Sequence, residues 1–230
     1  MSEIAKDFLF FGMTISILAY ELGLFLKSKW KLPIFNPLLV SIAAVMILIS
    51  VLGIDYESYN ASARYLSYLL TPATVCLAVP LYQQLQLLKS HGKAIVIGIL
   101  TGVFTSMGTV FLLSLLFGFS HEQYVTLLPK SITTAIGMGV SEEMGGIVTI
   151  TVAVIIVTGI LGNIIAEAAC RIFRITEPVA RGIAIGSAAH AIGTTKAMEL
   201  GEIEGAMSSL AIAMAGLCTV VFASFFINLI

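Results

Sequence analysis

Residues 131–145 read S-I-T-T-A-I-G-M-G-V-S-E-E-M-G, and residues 187–201 read S-A-A-H-A-I-G-T-T-K-A-M-E-L-G. Laid over each other at a shift of 56, they share Ser131/Ser187, Ala135/Ala191, Ile136/Ile192, Gly137/Gly193, Glu143/Glu199 and Gly145/Gly201. Identical positions in one unbroken register make an internal repeat, with repeat-like units at 122–174 and 178–230. Each copy is too polar and too glycine-rich for a lipid-facing helix, and each runs into a long apolar stretch. Paired, interrupted segments of this kind mark the binding site in transporters built from repeats.

The surroundings of the two segments are those of a membrane protein. Apolar residues make up 58% of the 230 and charged ones only 11%, with a mean hydropathy of +1.03, far from the composition of soluble domains. The reading is a single transmembrane domain over residues 1–230. Cys76, Cys170 and Cys218 lie in apolar stretches without metal-ligand spacing, so they read as packing residues, and neither a metal site nor a disulfide framework is expected. The first apolar run has no small-residue cleavage site after it and reads as a retained helix.

A spanning helix takes roughly 20 mostly apolar residues. Runs at 8–26, 37–53, 65–82, 94–119, 147–173 and 207–230 give about six full spans, the third of them containing Pro72 and Pro80. In the fourth, Gly98 and Gly102 have the spacing that lets two helices approach closely. The positive-inside rule orients the chain. Lys27, Lys29, Lys31, Lys89, Lys93, Arg171, Arg174 and Arg181 fall on one side if the first helix runs outside to inside, leaving only Lys6 and Arg64 outside. The N-terminus is therefore expected outside. Residues 122–146 then begin and end on the same side, which makes them a re-entrant hairpin entered from outside, because irregular backbone at membrane depth must be enclosed by protein or water. By the repeat, 178–205 enters from inside, although a complete crossing stays open for it. The expected fold is thus an all-α integral membrane protein of about six full transmembrane helices plus two re-entrant or broken segments arranged as an inverted repeat.

The chemistry-bearing residues concentrate in these segments. Lys130 stands beside Ser131, Thr133 and Thr134. Ser187, His190, Gly193, Thr194 and Thr195 occupy the second copy. Lysine, hydroxyls and exposed amides at a half-helix N-terminus suit a small carboxylate. An ionisable group at membrane depth costs several kcal/mol unless paired or hydrated, so it points to function by default. The blander reading has Lys130 and Lys196 snorkelling to the interface. His190 is the histidine inside a special segment, His91 and His121 falling in loops, and it either bonds a substrate, couples protons or is structural. Glu143 and Glu199 are further proton-coupling candidates. Asn163 and Glu167, four residues apart on one helix face, either line the site or bond a neighbouring helix. No hydrolase, nucleotide or metalloprotease motif is present, so the chain is not expected to be an enzyme, and no cofactor is implied. No basic face suits nucleic acid.

A wider set of motifs, namely N-P-L-L at 36–39, P-A-T-V at 72–75, A-V-P-L-Y at 78–82, P-K-S at 129–131, A-R-G at 180–182, H-A-I-G-T at 190–194 and E-G-A at 204–206, resembles the LrgB/CidB family of bacterial inner-membrane proteins. The same family includes the membrane domain of the plastidic glycolate/glycerate translocator. Members usually carry proline at the position of Ala135, and S-H-A-I-G-T-A where this chain has A-H-A-I-G-T-T at 189–195. The resemblance implies two functions of different classes. One is transport of small monocarboxylates of the glycolate, glycerate, lactate and pyruvate class. The other is holin-like or antiholin-like control of murein hydrolase export and autolysis with a small LrgA-type membrane partner. The residues themselves favour a proton-coupled, alternating-access carrier, expected to be a homodimer, in which the hairpin-bearing half moves against the other helices.

Overall fold

A computed structural model describes residues 10–30, 35–69, 72, 75, 76 and 78–230. Every regular element among them is helical, and they fall into two compact units, 1–76 and 77–230.

The first unit begins with α1 (Phe11–Trp30) and α2 (Pro37–Leu52). The Asn36 side chain accepts from the amides of Leu38 and Leu39, and Pro37 at the first helical position has no amide to leave unsatisfied. Gly53, at φ 63°, ends α2 in the left-handed conformation that glycine adopts without steric cost. Asp55 then caps α3 (Tyr56–Ala63), and a 3₁₀ turn covers Arg64–Leu69. Ser62 accepts from the Gly12 amide at 2.6 Å, and Ser16 meets the Tyr59 hydroxyl at 2.7 Å, fixing α3 against α1. Much of the span expected at 65–82 lies outside the described residues.

The second unit holds α4 (Ala78–Gln83), α5 (Leu85–Phe117), α6 (His121–Leu127), α7 (Thr134–Glu143), α8 (Val148–Ile172), α9 (Pro178–Leu200) and α10 (Glu202–Phe226). Four helical stretches among the described residues are long and apolar enough to cross a membrane: Phe11–Trp30, Lys89–Phe117, Val148–Ile172 and Glu202–Leu229. At 16 residues, α2 is apolar but shorter. One expectation fails: residues 89–93 form no loop. The helix begins at Leu85 and carries Lys89, His91 and Lys93 within it, because lysine is a good helix former and lets a helix run on past its apolar stretch.

Both segments singled out by the sequence repeat are interrupted helices. In the first, α6 and α7 are arms joined by the break at 128–133, and Gly137, one turn past the tip, packs against Ile155 of α8. The base is held by Thr151 of α8, whose hydroxyl donates to the Thr126 carbonyl at 2.8 Å and to Ser141 at 2.7 Å, while the Ile147 amide donates to Thr126 Oγ1. In the second, α9 breaks at His190, whose φ of 41° and ψ of −142° are outside the helical region. Arg181 and Leu200 line one cavity at its base, Gly186 and Thr194 both reach Ser208, and Gly193 packs against Ala189 and Ile185. The 12 residues before the break and the 10 after it are therefore antiparallel arms of about 15–18 Å each at 1.5 Å per residue.

Both hairpins lie along α8, from opposite ends. The first meets Thr151 and Ile155; the second meets Gly159, Gly162, Asn163 and Glu167 in turn. Their tips come together near the middle of that helix. The second hairpin is also seated on α10, where a Cβ at Gly182 or Gly186 would collide with the backbone of Glu204 or Ser208. Close backbone approach through small residues is how helices gain packing energy where lipid removes the hydrophobic drive. A buried seam of Ile95, Ile99, Val103, Met107 and Val110 on α5 faces Ala206, Met207, Ala211 and Ala215 of α10. Leu116, Ile165, Leu217 and Phe225 point outward, as lipid-facing side chains do.

Candidate functional site

The hairpin tips also meet on α5. Gly102 is so close to the second hairpin that a Cβ there would stand 2.9 Å from Ser187 Oγ, and Gly98 faces Ile183. The close approach expected of that glycine pair is realised. One turn further along α5, Ser106 Oγ hydrogen-bonds Ser131 Oγ of the first tip at 2.8 Å. Beside these contacts opens a cavity of about 750 Å³, enclosed by α5, the Lys130–Ser131 tip and the first arm of α9. That size is within the roughly 300–1,000 Å³ usual for small-molecule sites.

The polarity of its wall is uneven. Lys130 Nζ donates to Ser131 Oγ at 3.0 Å, which leaves two ammonium hydrogens. The Ser106–Ser131 bond uses one of two hydroxyl hydrogens, so one remains. Elsewhere the hydroxyls donate to their own helices: Thr101 to the Ile97 carbonyl, Thr109 to that of Thr105 and Ser187 to that of Ile183. These three offer only acceptor lone pairs to a ligand. Ala94, Gly98, Ile183, Ala184 and Ala188 make the rest of the wall apolar, and His91 and Glu177 stand at the far end. The arrangement is a donor-rich pole suited to a carboxylate, with an acceptor-lined, mostly apolar remainder.

Of the residues singled out in the sequence, the cavity brings together Lys130, Ser131 and Ser187. The others stand elsewhere. Thr133 caps α7 from its backbone and Thr134 begins that helix. Buried His190 has Nε2 3.0 Å from the Ile155 carbonyl, so this nitrogen carries the proton and pins the second tip to α8. Thr194 is buried between the His190 carbonyl at 3.0 Å and Ser208 Oγ at 2.7 Å, joining the hairpin to α10. Gly193 is packing, and Thr195 accepts from Asn163 Nδ2 at 2.9 Å. Exposed Glu143 is on a separate pocket of about 210 Å³ with Met144 and Ser224, and Glu199 pairs with Lys196 at 3.4 Å. Asn163 and Glu167 bond the neighbouring element: Asn163 donates to the Ile192 carbonyl, and Glu167 reaches Lys196 at 3.3 Å. Lys196 is thus held in ion pairs at the second hairpin rather than in the cavity.

The α5 hydroxyl face, with Thr101, Thr105, Ser106 and Thr109, escaped the sequence reading. Its signal was the four-residue spacing of the threonines in an otherwise apolar run, which puts them on one helix face.

A sequence model described as the LrgB-like family matches residues 16–229. The chain is 39% identical over 196 residues to the holin-like protein CidB of Staphylococcus epidermidis, an overlap covering 85% of this chain and 86% of that protein. It is 37% identical over the same length to the holin-like protein CidB of Staphylococcus aureus, again covering 85% and 86%. With the antiholin-like protein LrgB of Bacillus cereus the identity is 33% over 222 residues, 96% of each. No solved structure matches.

Proposed function

The chain belongs to the LrgB-like family, and from that premise we propose that it works as a holin-like or antiholin-like protein of the bacterial inner membrane whose cavity at the two hairpin tips binds and carries a small monocarboxylate. The relatives' names support the first half of this reading, at 33–39% identity over nearly whole chains. In that role the protein acts with a small LrgA-type membrane partner on murein hydrolase export and autolysis.

The second half rests on one observation: a lysine, with its serine partners, at the meeting point of two half-length hairpins. Its ammonium and hydroxyl hydrogens would hold the carboxylate, and Thr101 or Ser187 would accept from a hydroxyl on the same ligand. The class is that of glycolate, glycerate, lactate and pyruvate. The hairpins would enter from opposite faces as an inverted repeat among about six spans, with the N-terminus outside, and their movement against α5 would expose the cavity alternately. Protonation of His190 at Nδ1 would keep its Nε2 bond to Ile155 and place a positive charge at the buried joint between the second tip and α8, which makes it the coupling candidate that fits best. The functional unit is proposed to be a homodimer.

Proteoliposomes loaded with a trapped dye of several hundred daltons and with labelled glycolate separate the two roles. A carrier exchanges the acid and retains the dye; a pore former releases both. Release of dye by the purified chain, alone or with an LrgA-type partner, would overturn the carrier half.

A further inference from the structure

A second cavity, of about 410 Å³, lies at the base of the second hairpin, far along α8 from the tips. Its wall contains Arg171, Arg174 and Arg181 against the single carboxylate of Glu167, with Cys170, Ile175 and Leu200 as its apolar part. The three arginines are placed by backbone and side-chain contacts. Arg174 has a φ of 55°, uncommon for a residue other than glycine, and the turn it makes closes α8 through the Ile175 amide on the Cys170 carbonyl at 2.8 Å. Arg181 is fixed by Nε donation to the Ile175 carbonyl at 2.8 Å and by buried Glu204 3.8 Å from its Nη1. Arg171 shares Glu167 with Lys196, at 3.2 and 3.3 Å. Three carboxylates, Glu167, Glu199 and Glu204, thus serve the three arginines and Lys196, and the arginines have donors to spare. Next to the cavity, Ile172 and Phe173 are three-quarters exposed, an apolar shelf beside a cationic one.

We infer that this arginine pocket binds the phosphate of an anionic phospholipid, its guanidinium groups on the phosphate oxygens and its acyl chains along Ile172 and Phe173. Guanidinium forks match phosphate geometry and tolerate partial dehydration better than ammonium. Basic pockets between membrane helices are known receptors for acidic headgroups. This inference does not depend on the carboxylate cavity, whose Lys130–Ser131 pole lies at the hairpin tips and whose lining shares no residue with the arginine pocket.

The test uses the full chain in nanodiscs and in mild detergent, with native mass spectrometry to count retained lipids. Phosphatidylglycerol should remain bound where phosphatidylcholine does not. Arg174→Gln changes an exposed side chain without touching the Glu204 or Glu167 pairs, and with Arg171→Gln it should weaken phosphatidylglycerol retention about tenfold, the scale of a lost charged hydrogen bond. Arg64→Gln, in the other unit, should leave retention unchanged. Equal retention of both lipids, or unaltered phosphatidylglycerol binding in the double variant, would overturn the assignment. So would stabilisation by inorganic phosphate alone with no preference among lipids, which would make the ligand free phosphate.

Discussion

Ser106 of α5 and Ser131 of the first hairpin tip share a hydrogen bond of 2.8 Å, and Lys130 donates to the same Ser131. Three polar side chains from two elements therefore form one chain of donors at the cavity wall. Because Ser131 accepts from the ammonium and exchanges one hydrogen with Ser106, the group keeps two ammonium hydrogens and one hydroxyl hydrogen for a ligand. Replacing Ser106 with alanine removes a neutral hydrogen bond and loosens the tip. Affinity for a bound monocarboxylate should fall about two- to tenfold, measured by ligand protection in thermal unfolding, with little change in the unliganded midpoint.

Gly102 predicts a different pattern. Valine there would drive two methyls into Ser187, whose Oγ already stands 2.9 Å from an added Cβ. The second hairpin must move off α5 or the cavity must fill. Stability should drop by about 1–3 kcal/mol and uptake should be abolished, whereas Gly108→Val, where an added Cβ meets nothing, should cost far less. Paired unfolding and uptake measurements check both.

His190 tests the hairpin tip itself. Its backbone conformation suits glycine, so His190→Gly loses the bond to Ile155 but adopts the turn without strain, while His190→Ala loses the same bond and keeps the strain. The alanine variant should be the less stable by about 1 kcal/mol. Equal stabilities would mean that the turn carries no conformational penalty.

The donor pole and acceptor wall also predict selectivity. A 2-hydroxy acid can donate to Thr101 or Ser187, whereas a 2-oxo acid offers those lone pairs only another acceptor. Lactate should therefore compete for bound glycolate more strongly than pyruvate by a factor of about 2–10, one neutral hydrogen bond. Equal competition would remove the α5 hydroxyls from ligand recognition.

The repeat carried most of what could be read in advance. Ser131 and Ser187 were aligned by sequence and line one cavity; Gly137 and Gly193, also aligned, each pack one turn past a tip. Composition and run length located the long helices, since a bilayer fixes the apolar length required. The partners across space were less legible. Nothing local to Arg181 announces Glu204, 23 residues on, because a hairpin base joins them. Thr194 and His190 carry chemistry legible in the sequence, but their partners, Ser208 and a backbone carbonyl, are set by the packing of other helices. A hydroxyl that bonds its own helix, as in Thr101, leaves no mark in apolarity or charge.

The most direct test is uptake of labelled glycolate, lactate and pyruvate into proteoliposomes containing only this chain, with and without an imposed pH gradient, comparing the native protein with Lys130→Ala. The account predicts saturable, gradient-sensitive uptake in the native protein and a loss of about tenfold or more in the variant, at unchanged expression and folding. Equal uptake by the variant, or none by well-folded native protein with its LrgA-type partner present, would contradict it.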